Sequence, residues 1–463
     1  MSQRHILPAQ QRVELNKSIY DYVDRCGAEE RFLVELRDVL ELSEADCDAV
    51  GNGRDADLLL KKWNSIIRLH RKIIDLEQKC QQLTDELEAI PTEAYREAER
   101  SDNNAMWMPR ANATFQLDLG SSVTDIKLHP SLPVVFLATD QGKMVAYDLF
   151  NRSMPLHSTQ AHMKGITSLA LVETAEGGLL VSTTSKDLQC KIWSFTDNAG
   201  FQPNRTLSSH EHIVSQSRFL RSGTDLLLVT CSRDLTVKVW DTKSGWCVKS
   251  FQPHNQWIRT LDVHGDFIIT GSNDSSLRLS HWPSGNGLSM ATLHEFPIEK
   301  VLIIPMSDPP ASNNTANGKP TTVPLELTNF DPDYGLLGFK YCISCSRDNL
   351  IILWKIPLPK FIPHRPPQPN PLQTQFEKVN IFKGHTSWVR DIKVRGSHLF
   401  SCSDDRSIRC WDLVTGECVK VWPEASQGFI NCLSVDSDVT KDKLLRDLLL
   451  LGSIDGKCNV FMK

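Results

Sequence analysis

The sequence predicts a mainly β fold of repeated short strands preceded by α-helical segments, and three observations carry that expectation. The stretch CSRDLTVKVWD at 231–241 returns as CSRDNLIILWK at 345–355 and, altered, as CSDDRSIRCWD at 402–412. An Asp, or a substitute, stands six places before an aromatic residue in unit after unit: Gln141 before Tyr147, Asp187 before Trp193, Asp234 before Trp240, Asp348 before Trp354, Asp405 before Trp411 and Asp455 before Phe461. Between these marks run alternating apolar segments such as TVKVW and LLLVTCS, the pattern of strands bounded by turn residues. Asp274 marks a seventh unit, although Trp282 lies eight places beyond it, which implies a local bulge or slip.

Composition limits what these units can do. A chain of 463 residues exceeds one ordinary domain, and 40% hydrophobic with 23% charged residues is a globular balance able to fill a large core. The start, MSQRHILPAQ, lacks the apolar run of a secretory signal, and no run of 18 or more apolar residues is present, so a cytoplasmic chain without a membrane span is expected. The 13 cysteines are odd in number and scattered through strand-like runs, which suits reduced core thiols better than a disulfide framework. At a net charge of −5, with no basic cluster of the nuclear type, no nucleic-acid partner is expected.

Five units also carry a His upstream of the Asp, at His162, His210, His254, His294 and His385. This pattern resembles the WD-repeat family, whose unit is one four-stranded blade of a β-propeller. From residue 107 to 463, less apparent insertions at about 306–338 and 356–379, the spacing is about 43 residues per blade for seven blades, within the family's period. The first insertion is polar and the second rich in Pro, so both should be exposed loops. The chain stops two residues after Phe461, so the seventh blade has three strands and must borrow a fourth, from Ala113–Leu119.

No enzyme signature emerges, and no cofactor is expected. Recurring His, Asp and Ser suggest triads, but the same set repeats blade after blade, as a structural network would. Cys342 and Cys345 form a lone CxxC on opposite faces of a strand, with no second pair at zinc spacing, and read as core thiols. Gly51-Asn-Gly53 and Gly285-Asn-Gly287 are too short for a nucleotide fingerprint.

The arginines beside the turn Asp carry more. In a blade, strands a and c run the same way, so the loop entering a and the b–c turn open on one face of the disc. That face should present Arg233 and Arg347 just before the Asp, Arg406 just after it, and Trp257, Arg259, Trp388 and Arg390 from HNQWIR and HTSWVR. Arg and Trp are enriched at interface hot spots, so the face is expected to bind an acidic protein surface.

The amino-terminal hundred residues have a different period. Leu59, Ile66, Ile73, Cys80 and Leu87 occupy heptad position a, and Leu69, Leu76, Leu83 and Ile90 occupy d, with Lys62 the one misfit. Ile at a with Leu at d favours a parallel two-stranded coiled coil. Pro91 ends it. Ahead lie LPAQQRVELNKSIYDYV and RFLVELRDVLEL, which look like a LisH dimerisation motif with Leu15, Ile19, Tyr22, Phe32 and Leu36 as its core. The expected organisation is a LisH region over 1–45, a coil over 58–90, a linker over 91–106 and a seven-bladed WD-repeat propeller over 107–463. The dimer would be held by Leu15, Ile19, Ile66, Leu69, Ile73, Leu76 and Leu83.

A LisH motif, a coil containing KKWNSIIRL, and WD repeats with HWPSGNG and HEFPIEK together resemble the nuclear distribution, or lissencephaly, protein family in its fungal form. The resemblance implies a homodimeric, non-enzymatic regulator of cytoplasmic dynein, favouring the active, microtubule plus-end-targeted motor in nuclear migration and mitotic spindle positioning. It implies the dynein heavy chain, a NudE-type coiled-coil adaptor and a plus-end linker protein as partners, at plus ends and the spindle pole. It also puts the dynein contacts on Arg233, Arg259, Arg347, Trp388 and Arg406. A WD-repeat scaffold or substrate receptor of another complex is the alternative, against which no F-box-like segment is visible. On the coil reading, Ile73→Asp places an unpaired charge in the seam and is expected to split the dimer. Light scattering that still returns twice the monomer mass would contradict it.

Overall fold

In the computed structural model, the described residues are 15–42 except 18, 21, 25 and 41; 71–81 except 75 and 80; and 108–462 except 110–111, 151–153, 175–176, 307–326, 328 and 436–447. They fall in two units, 1–106 and 107–463, each described by itself.

The larger unit is a seven-bladed β-propeller of antiparallel four-stranded sheets. Blades 1 to 6 occupy 123–160, 166–207, 214–251, 258–291, 298–383 and 389–422, with strands a to d in chain order. Each strand b is almost wholly buried, as in VVFLAT at Val134–Thr139, which explains the continuous apolar runs in the sequence. Blade 7 takes strands a to c from Ile430–Val435, Leu449–Ser453 and Lys457–Phe461 and its strand d from Phe115–Asp118, paired Phe115 to Val460 and Asp118 to Lys457. The borrowed strand therefore closes the ring, with Leu117 buried in the core shared by blades 7 and 1.

Hydrogen bonds within the blades explain the repeated polar residues. In blades 2, 3, 5 and 6 the His Nδ1 lies 2.6–2.8 Å from the turn Asp, and its Nε2 lies 2.7–2.8 Å from a strand-b Thr or Ser hydroxyl. That hydroxyl accepts from the Trp indole N–H at 2.8–3.0 Å. Blade 4 keeps the first two bonds, His254 to Asp274 and to Thr270, without the Trp. Strands b and c of that blade stay in continuous register, with Ser280 opposite Ile268, so no slip occurs there, and the bulge between strands c and d at Leu279/Ser280 is the one that other blades have at their Trp. Ser280 replaces the Trp, and Trp282 lies beyond the strand, where its backbone N–H donates to the Asp266 carbonyl.

The insertions are not plain exposed loops. At the end of the first, Tyr334 and Leu337 enter the core between blades 4 and 5, and the Tyr334 hydroxyl donates to the Ile356 carbonyl at 2.9 Å. The second runs back along the rim of blade 4, where Phe376 N–H donates to the Met290 carbonyl at 2.8 Å and Met290 N–H donates to Thr374 at 2.9 Å. It covers an otherwise unpaired edge.

Neighbouring blades are tied at the centre by strand-a side chains. Asp125 accepts from Leu169 N–H at 2.7 Å, Asp262 from Ile303 N–H at 2.8 Å and Asp391 from Leu433 N–H at 3.1 Å. Burial, the largest single influence, would raise the Asp125 carboxyl. Lys127, Lys300, Lys393 and the Leu169 N–H together outweigh it and hold the group at about 2.

In the smaller unit, residues 30–39 form a helix with no buried side chain, and Asn16 Nδ2 donates to the Leu40 carbonyl at 2.9 Å. Tyr22 and Phe32 are exposed in the single chain, as are Ile73 and Leu76 in helical residues between 71 and 81. Ile66, Leu69 and Leu83 lie outside the described residues. Among the described residues no helix is long and apolar enough to cross a membrane.

Two predictions follow from the ring. A chain beginning after Leu119 loses the closing strand, and its unfolding midpoint should fall by roughly 5 °C or more; an unchanged melt would mean the strand is dispensable. The second concerns acid. Burial, the largest influence on Asp405, would raise its carboxyl, but His385 and Ser407 outweigh burial and hold the group below the ordinary range. A carboxyl depressed in the folded state contributes stability above its unfolded value and loses it as pH falls, so melting should fall below about pH 4–5. Asp405→Asn should be less stable at neutral pH and show a shallower acid slope; an identical slope in thermal melts would contradict the assignment.

Candidate interaction face

The His–Asp bonds bring each strand-a entry loop beside the b–c turn of the same blade, so two sets of side chains converge on one mouth of the central channel. One set immediately precedes the turn Asp, and includes Lys186, Arg233, Asn273, Arg347 and Asp404. The other is the second residue of each strand a: small and polar in blades 1, 2, 3 and 7, but Arg259, Glu299 and Arg390 in blades 4, 5 and 6. Charge is therefore concentrated in one sector, blades 3 to 6, with Lys186 of blade 2 and Asp140 of blade 1 outside it.

Within that sector the arginines are built into the structure. Arg233 of blade 3 stacks on Trp257 of the blade 4 loop at 5.1 Å. Arg347 of blade 5 stacks on Trp388 of the blade 6 loop at 4.1 Å, and Arg390 approaches the same ring at 4.9 Å. Arg390 also donates twice to Asp404, both at 2.8 Å. Arg259 donates to Asn273 at 2.9 Å and to Glu299 at 3.2 Å, and Arg347 donates to the same Glu299 oxygen. Arg406 follows the turn Asp instead of preceding it, in the left-handed region at φ 63°, and lies exposed, donating to the Gln427 carbonyl of the blade 7 entry loop at 3.5 Å.

The face is thus less simply basic than the sequence suggested. Arg233, Arg259, Arg347 and Arg390 are partly buried, not free in exposed turns, and Glu299 and Asp404 offset half of their charge. Burial lowers the Arg233 guanidinium and Arg347 adds to that, against the opposing pull of Glu299. Three or more cations in one half-desolvated sector retain a net positive charge that only an anionic partner fully compensates.

Apolar side chains ring this sector. Trp257, Phe296, Trp388 and Phe429 stand exposed on the entry loops of blades 4 to 7, and Met163 on that of blade 2 is 97% exposed. Sequence reading found the two tryptophans but missed Phe296, Phe429, Met163 and the acid Glu299. Glu299 takes the place that HNQWIR and HTSWVR give to an Arg and Phe429 the place before the first strand residue that they give to a Trp, whereas Phe296 and Met163 stand one and two places before that Trp position, so aligning HEFPIE with those two would have found Glu299.

The other candidates fall away as sites of chemistry. Cys342 and Cys345 are fully buried, and burial pushes both thiols well up. Among the described residues no group of three or more His, Cys, Asp or Glu could hold a metal ion.

Comparison with known proteins agrees with the architecture. The WD40 family model, "WD domain, G-beta repeat", matches residues 153–194, 201–241, 245–279 and 376–412. The match at 201–241 begins on strand d of blade 2 and ends on strand c of blade 3, so the sequence repeat straddles two blades as the closing strand does. The chain is 78% identical over 463 residues to nuclear distribution protein PAC1 of Eremothecium gossypii, covering all of both chains. It is 46% identical to the protein of that name from Lachancea thermotolerans, over 99% of this chain and all of that one. With that from Saccharomyces cerevisiae it shares 46% identity over 88% of this chain and 84% of the relative. The relatives place the chain in a non-enzymatic WD-repeat scaffold family, and its His–Asp pairs are used within the blades. Because the similarity runs end to end and is not confined to the repeats, the chain belongs to the nuclear distribution protein family.

Proposed function

We propose that the chain is a homodimeric regulator of cytoplasmic dynein that grips the motor domain with the Arg/Trp sector of its propeller. The observation that carries the reading is the clustering of Arg233, Arg259, Arg347, Trp388 and Arg406 on one face of blades 3 to 6, with Trp257 and Arg390 interleaved. Arg and Trp are residue types enriched at protein interfaces, and a cationic centre bordered by exposed aromatic side chains suits an acidic patch with apolar margins. Nuclear distribution is the role in the relatives' names, and dynein is the motor that the family resemblance attaches to it.

Dimerisation rests on the amino-terminal unit. Ile73 and Leu76, a and d in the heptad reading, are exposed in one copy, and the 30–39 helix buries nothing, as unpartnered dimer surfaces would. Two propellers on one coil raise the effective concentration of the second once the first is bound. The NudE-type adaptor, the plus-end linker, cytoplasmic location, and enrichment at plus ends and the spindle pole come to this chain through the family resemblance.

The half-buried arginines decide which variants test the reading. Arg347→Ala leaves Glu299 paired with Arg259 alone and disturbs the contact between blades 5 and 6, so it mixes fold with function. Arg406→Ala touches little else and is the cleaner probe. Arg406→Ala should leave the melting temperature within a few degrees, and together with Trp388→Ala, whose loss also frees Arg347 and Arg390, it should weaken binding to purified dynein motor domain by about tenfold or more. Measured at fixed salt, wild-type affinity in that double variant would place the ligand elsewhere.

A further inference from the structure

The same mouth encloses a cavity of about 460 Å³, inside the range of about 300–1,000 Å³ typical of small-molecule sites. Its wall holds six cationic side chains, Lys186, Arg233, Arg259, Lys300, Arg347 and Arg390, against four carboxylates, so the fully ionised lining carries a net charge of +2. Two of the carboxylates, Asp125 and Asp391, are already engaged by Lys127, Lys300 and Lys393. The remaining two, Glu299 and Asp140, belong to blades 5 and 1, and only Glu299 bonds to the arginines.

Several polar atoms of this wall have no protein partner. Gln216 is 2% exposed, and its Oε1 accepts from Leu261 N–H at 3.3 Å, which leaves Nε2 as an unpaired donor. Arg233 Nε is unpaired as well, although its guanidinium plane is held on Trp257. On the blade 1 side, Thr124 Oγ1 and Asp140 Oδ1 are also without partners. Buried polar groups are ordinarily hydrogen-bonded, so four unmatched atoms packed within the wall of one cavity leave its side chains hydrogen-bonding capacity that a small reorientation would turn towards something polar.

Their chemistry differs from side to side. Blades 3 to 5 offer cationic donors, which suit phosphate oxygens. Blade 1 offers a carboxylate and a hydroxyl, which would repel phosphate but accept hydrogen bonds from alcohol groups. We infer that the mouth binds a phosphorylated polyol of the inositol phosphate type, its phosphates on Arg233, Arg259 and Arg347 and its hydroxyls toward Asp140 and Thr124. Such a ligand needs no dynein to bind, so the inference stands apart from the proposed function. It uses three of the same arginines, so ligand and acidic partner would compete.

The experiment is calorimetric titration of the full chain with inositol trisphosphate, with pyrophosphate, and with sulfate at matched ionic strength. Saturable binding of inositol trisphosphate, tighter than pyrophosphate and absent with sulfate, is the expected result. Arg233→Gln should weaken it by at least about tenfold while melting unchanged in ligand-free buffer, and Lys243→Gln, at an exposed turn outside the cavity, should bind as wild type. If Arg233→Gln does not fold, Thr124→Val gives the same readout from the other wall. Heat no greater than the sulfate control, undiminished binding in the wall variants, or pyrophosphate bound as tightly as the polyol ester would each overturn the inference. So would binding to vesicles containing phosphatidylinositol bisphosphate without binding of the soluble ester, since the headgroup would then be held only as part of a membrane surface.

Discussion

The hydrogen bond from the loop His to the turn Asp is the interaction on which the working face depends. It fastens the entry loop of strand a to the b–c turn, two segments 20–25 residues apart in blades 2, 3, 4 and 6 and 54 apart in blade 5. The protons can be assigned along the whole chain of groups with a neutral imidazole. The Trp N–H donates to the Thr or Ser oxygen, that hydroxyl donates to His Nε2, and His Nδ1–H donates to the carboxylate. Every buried polar atom in the set is satisfied, so the network stabilises as an apolar core could not, and it specifies one arrangement of loop and turn. The arginines inherit their positions from it, because each lies within a few residues of the His or next to the Asp.

Where the network is missing, the ring is held another way. Blade 1 has Gln141 and Tyr147 at the marked positions, and blade 7 has Asp455 and Phe461 without a loop His. These two blades flank the seam, where the borrowed strand and the shared apolar core that includes Leu117, Val123, Ile126, Leu450 and Val460 supply the cohesion. The seam also lacks the arginines. The closing strand and the arginines thus lie in different blades of one disc, and a change at the seam acts on stability before it acts on the arginine sector.

Much of this was legible in the sequence because it rests on short-range marks. The six-residue spacing from Asp to Trp, the alternating strands and the missing final strand all follow from local geometry, and the seven blades with their borrowed strand are in the structure. Trp282 is a false marker, because the register of strand c is set by backbone pairing, not by an aromatic residue, and tolerates Ser280. The insertions misled because polar composition says that a segment can be solvated, not that it is; Tyr334, Leu337 and Phe376 are few, but each finds an apolar site. Glu299 was passed over because counting cations ignores what neutralises them. Which arginines share it is a matter of blade-to-blade distance, which no single repeat encodes.

The paired and stacked state of the arginines changes what a loss of binding would mean. A guanidinium held over an indole ring and by a carboxylate at its N–H edge has its orientation set before any partner arrives, and little side-chain entropy remains to be lost. Trp388 lies against two such groups, Arg347 at 4.1 Å and Arg390 at 4.9 Å, while Asp404 fixes the second from its edge. Removing the indole therefore releases two like charges that it holds in place, whether or not the ring itself touches a partner. An effect at Trp388 alone reports the loss of an ordered cationic pair as readily as the loss of a contact. Arg406, exposed and bonded only weakly to a carbonyl, has no such second role, and the difference between the two substitutions separates preorganisation of the face from direct contact with what it binds.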